Sequence, residues 1–217
     1  MPRLFPRWSN IAFPSLVALL FAVAAAAVIS PLVYVRTPYN TARYAPLTQP
    51  VEFDHRHHVR DDGIDCLYCH PGAETSARAG IPSTEVCMGC HVQVWSESPL
   101  LEPVRRSYFS GKPIPWRRVH RLPDFVHFDH SAHVGAGVGC VRCHGRVDLM
   151  AAVHTSEPLT MSWCLDCHRA PREQLVRAEA DSVDLRTASN VFVGSTEPEA
   201  LEHHSTASLT TCTTCHR

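Results

Sequence analysis

Lysine is almost missing from this chain: Lys112 is the only one in 217 residues, and arginine supplies the rest of the positive charge. Basic residues do not outnumber acidic ones, twenty against twenty-one, for a formal charge of −1. Without a basic excess the electrostatic footprint of a nucleic-acid binder is lacking. Glycine is scarce beside proline, ten against seventeen, which argues for long links between short elements. No cysteine is left over, so a lone reactive thiol is excluded as the centre of function.

Cysteine and histidine are what the chain has in excess, ten and fifteen residues. Every cysteine belongs to a Cys-x-x-Cys-His motif: Cys66/Cys69-His70, Cys87/Cys90-His91, Cys140/Cys143-His144, Cys164/Cys167-His168 and Cys212/Cys215-His216. This is the attachment motif of c-type haem. Two thiols must reach the vinyl groups on one edge of the porphyrin, and residues three and four apart share a face of a helical turn. The histidine then projects beneath the ring as proximal ligand of the iron. Zinc sites and disulfides also use Cys-x-x-Cys pairs, but neither needs the histidine. At a histidine frequency of about 7%, its presence in all five motifs by chance is roughly a two-in-a-million event. The expected cofactors are five heme c groups.

The N-terminus carries Arg3 and Arg7, and residues Ile11 to Val35 follow as 25 residues without a charge. That length spans a bilayer, which needs about 20 apolar residues. Ala24-Ala25-Ala26 fits a signal-peptide cleavage site, yet apolar residues continue past it through Val35, beyond the usual h-region of about 7–15 residues. An uncleaved anchor is expected. Arginine is nearly balanced across the span, so the positive-inside rule says little. Haem attachment takes place on the exported side, which puts residues 1–10 in the cytoplasm and residues 36–217 on the periplasmic or extracytoplasmic side of the inner (plasma) membrane. There the ten thiols, held as thioethers, would be safe from oxidation.

About 182 residues follow the anchor, roughly 36 per motif, too few for an ordinary core around each porphyrin. The expected fold is a multihaem c-type cytochrome: short helices and irregular loops wrapped on haems, with little sheet. Phe53-Asp54-His55-x-x-His58-Val59 precedes the first motif, and Phe128-Asp129-His130-x-x-His133-Val134 precedes the third. The chain therefore reads as residues 36–97, a first dihaem unit; 98–125, a bridge; 126–170, a second dihaem unit; and 171–217, a loop with the fifth haem. Short helices are expected over Leu100–Ser107 and Pro171–Ala180, and a loop over 181–211.

Ten histidines remain for the distal positions. His55, His58, His130 and His133 come from the repeated segments, and His120 from Trp116-Arg-Arg-Val-His120. These five are the candidate distal ligands. His57, His127, His154, His203 and His204 read as surface residues. Met150 and Met161 are the candidate sulfur ligands, while Met88 lies inside a motif. Arg105, Arg106, Arg117, Arg118 and Arg121 either pair with haem propionates or form a solvated face. Trp95, Trp116 and Trp163 are expected on haem faces or at a subunit contact.

The stretches GIDCLYCH, AGIPSTEVCMGCH, SPLLEPVRRSYFSGKPIPWRRVHRLPDFVHFDHSAHV, GVGCVRCHGRVD and SWCLDCHR resemble the pentahaem cytochrome c subunits of alternative complex III, a bacterial quinol:electron-acceptor oxidoreductase. The likeness covers most of residues 50–170 and the terminal motif; the bridge is its most specific part. The repeated units are also similar to small class III, c7-type multihaem domains. The resemblance implies an electron-transfer subunit without substrate chemistry of its own. Its partners would be an iron-sulfur subunit related to molybdopterin enzymes, quinol-binding membrane subunits, a monohaem cytochrome c subunit and a soluble carrier.

Two other readings compete. A membrane-anchored multihaem quinol dehydrogenase feeding a periplasmic reductase would share the single helix, but the motif number and the bridge argue against it. A nitrite- or hydroxylamine-converting cytochrome needs an open iron, often with lysine as proximal ligand, and the chain has no Cys-x-x-Cys-Lys.

Overall fold

The absence of charge between residues 11 and 35 leaves nothing to interrupt a helix. In the computed structural model, which describes residues 5–171 and 206–216, this segment is α1, Ser9–Tyr34. It is long and apolar enough to cross a membrane, and none of its residues is buried within the protein. The helix runs through Pro14 and Pro31, each of which removes one backbone hydrogen bond close to an end. At its C-terminus the Arg36 guanidinium donates to the Leu32 carbonyl at 2.8 Å and the Thr37 hydroxyl to that of Tyr34 at 2.8 Å, satisfying carbonyls the helix leaves open. Thr37 then caps the single turn α2, Pro38–Thr41, with proline at its first position. These elements belong to one compact unit, residues 1–43; residues 44–217 form the other.

The second unit is built of short helices: α3 Cys66–Cys69, α4 Gly72–Thr75, α5 Thr84–His91, α6 Glu102–Ser110, α7 His130–Gly135, α8 Val141–His144, α9 Met161–Arg169, α10 Thr206–Leu209 and α11 Cys212–Cys215. Helices of this length are not stable alone, so local caps and tertiary contacts must hold them. Asp65 accepts from the Leu67 amide at 2.7 Å to start α3, and Thr160 from the Trp163 amide at 3.4 Å to start α9. Every Cys-x-x-Cys pair lies on a helical turn, although at the third motif Cys140 caps α8 rather than lying within it.

The bridge helix begins and ends later than the sequence pattern suggests. A tight turn at Pro99–Leu101 leads into α6, which extends to Ser110. Glu102 pairs with Arg105 and Arg106 one turn on, and Gly111, at φ +66°, stops the helix. Val104 carries α6 onto α5, where Val51, Met88 and Ile114 complete a small core flanked by Leu101 and Trp116. α4 packs on α7, and α9 on α10. Val126 and His216 form an isolated antiparallel bridge.

The helix expected to continue from Pro171 to Ala180 lies outside the described residues. So does the expected loop over 181–205. α10, however, falls within the range read as loop. Its support is tertiary: it packs on α9, and its Leu209 carbonyl accepts from His168.

Candidate functional site

The two Phe-Asp-His-x-x-His segments are built on different backbones. Residues Arg56–Asp61 wind as a wide helical turn, whereas the second segment starts the α-helix α7. Asp54 is held by the Arg56 guanidinium at 2.6 Å, and that hydrogen bond draws its carboxyl down to about 2. Asp129 instead caps α7 through the amides of Ser131 and Ala132. The ring geometry is nonetheless duplicated. Phe53 meets His55 edge-on at 4.7 Å and lies over His58 at 4.3 Å. Phe128 meets His130 edge-on at 4.8 Å and lies over His133 at 4.5 Å. One phenyl ring thus orients both imidazoles of each segment.

A second regularity fixes the tautomers. Nδ1 of four proximal candidates faces a backbone carbonyl: His70 to Gly80 at 3.0 Å, His91 to Val94 at 2.9 Å, His168 to Leu209 at 2.9 Å and His216 to Phe125 at 3.2 Å. Three distal candidates do the same: His58 to Asp54 at 3.1 Å, His130 to Ala77 at 3.0 Å and His133 to Asp129 at 2.7 Å. A carbonyl only accepts, so Nδ1 carries the hydrogen and Nε2 keeps its lone pair. This is the usual arrangement of a metal-ligating histidine, with the second nitrogen oriented by a hydrogen bond. Burial lowers His55 to about 4 and His144 to about 3, and lowers His120 and His133 as well. All four are therefore neutral at pH 7, the state a ligand must have. Nε2 of His120 and Nδ1 of His55 are buried without a hydrogen-bond partner, which a protein interior rarely tolerates.

The spacing of the rings tests whether the residues fit an iron between them. Metal–imidazole bonds of about 2.0–2.1 Å on both sides put two ring centres about 6 Å apart. His58 and His91 are 6.1 Å apart, His133 and His168 6.0 Å, and His130 and His144 6.3 Å. In each pair a repeated-segment histidine faces the histidine of a motif. His55 lies within electrostatic reach of His70, the corresponding position in the first segment. His120 is only 4.3 Å from His144, too close to share an iron with it. His216 has Phe125 as its ring neighbour, at 5.8 Å.

The sulfurs show which motifs are neighbours. The Cys66 and Cys140 thiols are hydrogen-bonded, which together with burial raises the Cys140 thiol. Cys69 lies near Cys87 and Cys90, Cys143 near Cys164 and Cys167, and Cys164 near Cys215. The motifs therefore follow one another in space as second, first, third, fourth and fifth. No disulfide joins any of the ten. Among the described residues no three His, Cys, Asp or Glu side chains gather as a bare metal ion would require.

The remaining candidates are placed as follows. His57 is exposed and pairs with Asp61 at 2.9 Å. His154 meets the Tyr44 ring at 6.0 Å, and the His127 amide donates to the Cys215 carbonyl at 2.8 Å. His203 and His204 lie outside the described residues. Met150 is buried, Met161 is 65% exposed, and Met88 belongs to the small core. Arg105 donates to the carbonyls of Ser96 and Ser98, and Arg117 to that of Thr48. Trp116 packs on the core, whereas Trp95 is 66% exposed. The backbone carbonyls of Ala77, Gly80, Val94, Phe125 and Leu209 are site groups that side-chain chemistry could not announce.

No family model matches the chain. It is similar to the multihaem cytochrome c subunit of menaquinone reductase from Nitratidesulfovibrio vulgaris, with 38% identity over 102 residues. The match covers 46% of this chain and 48% of the relative, so the chain spans about half the length of the curated relative it matches.

Proposed function

We propose that this chain is an electron-transfer subunit carrying five heme c groups. The observation that carries the reading is the set of three histidine pairs 6.0–6.3 Å apart, most of their Nδ1 atoms tied to carbonyls. The homology to a multihaem cytochrome c supports it independently. Covalently bound haem would supply one-electron chemistry. The chain's own residues do the rest. The ten motif cysteines, from Cys66 to Cys215, tether the groups. His70, His91, His144, His168 and His216 serve as proximal ligands. His58, His130 and His133 serve as distal ligands to the second, third and fourth motifs, and His55 to the first. His120, with its partnerless buried Nε2, is the remaining distal candidate. At four of the five motifs a second histidine would thus be on hand beside the motif histidine, which favours electron relay over nitrite or hydroxylamine chemistry.

The assembly is a membrane quinone oxidoreductase. The bridge and motif stretches favour the pentahaem subunit of alternative complex III, with quinol oxidised in a neighbouring membrane subunit. Electrons would pass through iron-sulfur clusters of a partner to this chain and on to a periplasmic carrier, with α1 as a single-pass anchor. The relative's name supports a second reading, in which the same relay runs toward menaquinone. Gentle detergent purification followed by identification of co-purifying chains tests the assembly. Quinol that reduces the haems of that preparation, with reoxidation by a soluble cytochrome, supports the first direction. A chain that purifies alone and is reduced by neither quinol nor a partner would contradict both.

A further inference from the structure

Residues 76–80 form a five-residue loop between α4 and the segment leading to α5. Two of its carbonyls point at histidines of different motifs. Gly80 accepts from Nδ1 of His70, the first motif's histidine, at 3.0 Å. Ala77 accepts from Nδ1 of His130, which faces the third motif's His144, also at 3.0 Å. The same Ala77 carbonyl takes the His130 amide at 3.3 Å, and the Ser76 carbonyl takes the Ser131 amide at 3.2 Å. The loop is therefore stitched to the start of α7, and α4 packs against α7 behind it. The two dihaem units also meet at the sulfurs of Cys66 and Cys140, which are hydrogen-bonded.

The loop lies close against the start of α4. A Cβ on Gly72 would stand 2.8 Å from the Ala79 oxygen and 2.9 Å from that of Arg78. Gly80 has φ +78°, a conformation that glycine adopts at little cost. Ala77 and Gly80 thus present their carbonyls from one short stretch of backbone, which approaches Gly72 closely and turns at Gly80.

We propose that loop 76–80 is a positioning element shared by the first and third centres, which sets the axial imidazoles of both together at the crossing between the two dihaem units. The proposal rests on the reading of His70 and His130 as haem ligands. A hydrogen bond to Nδ1 raises the basicity of a ligating imidazole, which favours the oxidised metal and lowers its potential. A displaced loop weakens both bonds, so both potentials rise.

The test uses the full chain, purified in detergent with its haems, and follows low-spin electron paramagnetic resonance signals during a redox titration. The signals of the first and third centres are assigned with His55→Ala and His130→Ala. Gly72→Val pushes on the Arg78 and Ala79 carbonyls. The expected result is that the two assigned signals shift and both potentials rise, while the others stay put. Gly80→Ala, a smaller strain in the same loop, should move the same two and decides the matter if Gly72→Val yields too little protein. Gly135→Ala, at an open position of α7, should move none. A shift confined to one centre, or no shift in a variant that has all its haems, overturns the proposal. If His130→Ala itself leaves every signal unchanged, the ligand assignment fails instead of the loop.

Discussion

Replacing His133 by alanine removes one proposed axial ligand without touching a tether. The His133 imidazole faces that of His168 at 6.0 Å, lies over Phe128 at 4.5 Å, and donates to the Asp129 carbonyl at 2.7 Å. Losing that hydrogen bond costs about 1 kcal/mol, and losing the aromatic contact about 0.5–1.5 kcal/mol. The total of about 2 kcal/mol is small beside the 5–15 kcal/mol that ordinarily holds a domain. The variant should therefore fold, with its haem still covalently held through Cys164 and Cys167. With one of five motif sites deprived of its distal ligand, about one fifth of the haem should turn from low-spin to high-spin. Optical and paramagnetic resonance spectra of the oxidised protein read this directly. His57→Ala is the matched control, because His57 is exposed and pairs with Asp61. An unchanged low-spin spectrum in His133→Ala would refute the pairing with His168, whatever the variant's stability.

The motifs, the repeat and the apolar span were legible in the sequence because each rests on fixed spacing. Two thiols must meet one porphyrin edge, a phenylalanine must stand two and five residues before the imidazoles it orients, and a bilayer must be crossed by uncharged residues. The partners of His70 and His130 were not legible, since a carbonyl acceptor at Gly80 or Ala77 is set by backbone path and leaves no mark in residue type. The spatial order of the motifs was hidden for the same reason. His58 turns onto the second motif's His91 while Cys66 meets Cys140, and no local pattern encodes that exchange. The late end of α6 depends on Gly111 and on Ser107 donating to the Lys112 carbonyl at 2.6 Å, a closure that exists only once the chain has turned.

Other perturbations have equally definite outcomes. Gly145→Ala should destabilise the protein by about 2–4 kcal/mol, because the new Cβ overlaps the Ser156 side chain and φ is +69°; thermal unfolding measures it. Asp148 is 3% exposed and takes Nε and Nη2 of Arg146 at 2.7 and 2.5 Å. Asp148→Ala should cost about 2–4 kcal/mol, toward the lower side for a buried pair because Arg146 is partly exposed; denaturant unfolding reads this as a lowered midpoint. If α1 is a retained anchor, peptides from before Ala24 will be found in the mature protein and its extraction will need detergent. A mature chain starting near Ala27 would contradict that.

The reading of every motif as a haem site is tested most directly by the intact mass of the denatured protein after maturation in its own membrane. The thioether bonds survive denaturation, so the account predicts the mass of the mature chain plus five haems. A mass carrying fewer than five, with the remaining motif cysteines found as free thiols, would contradict it.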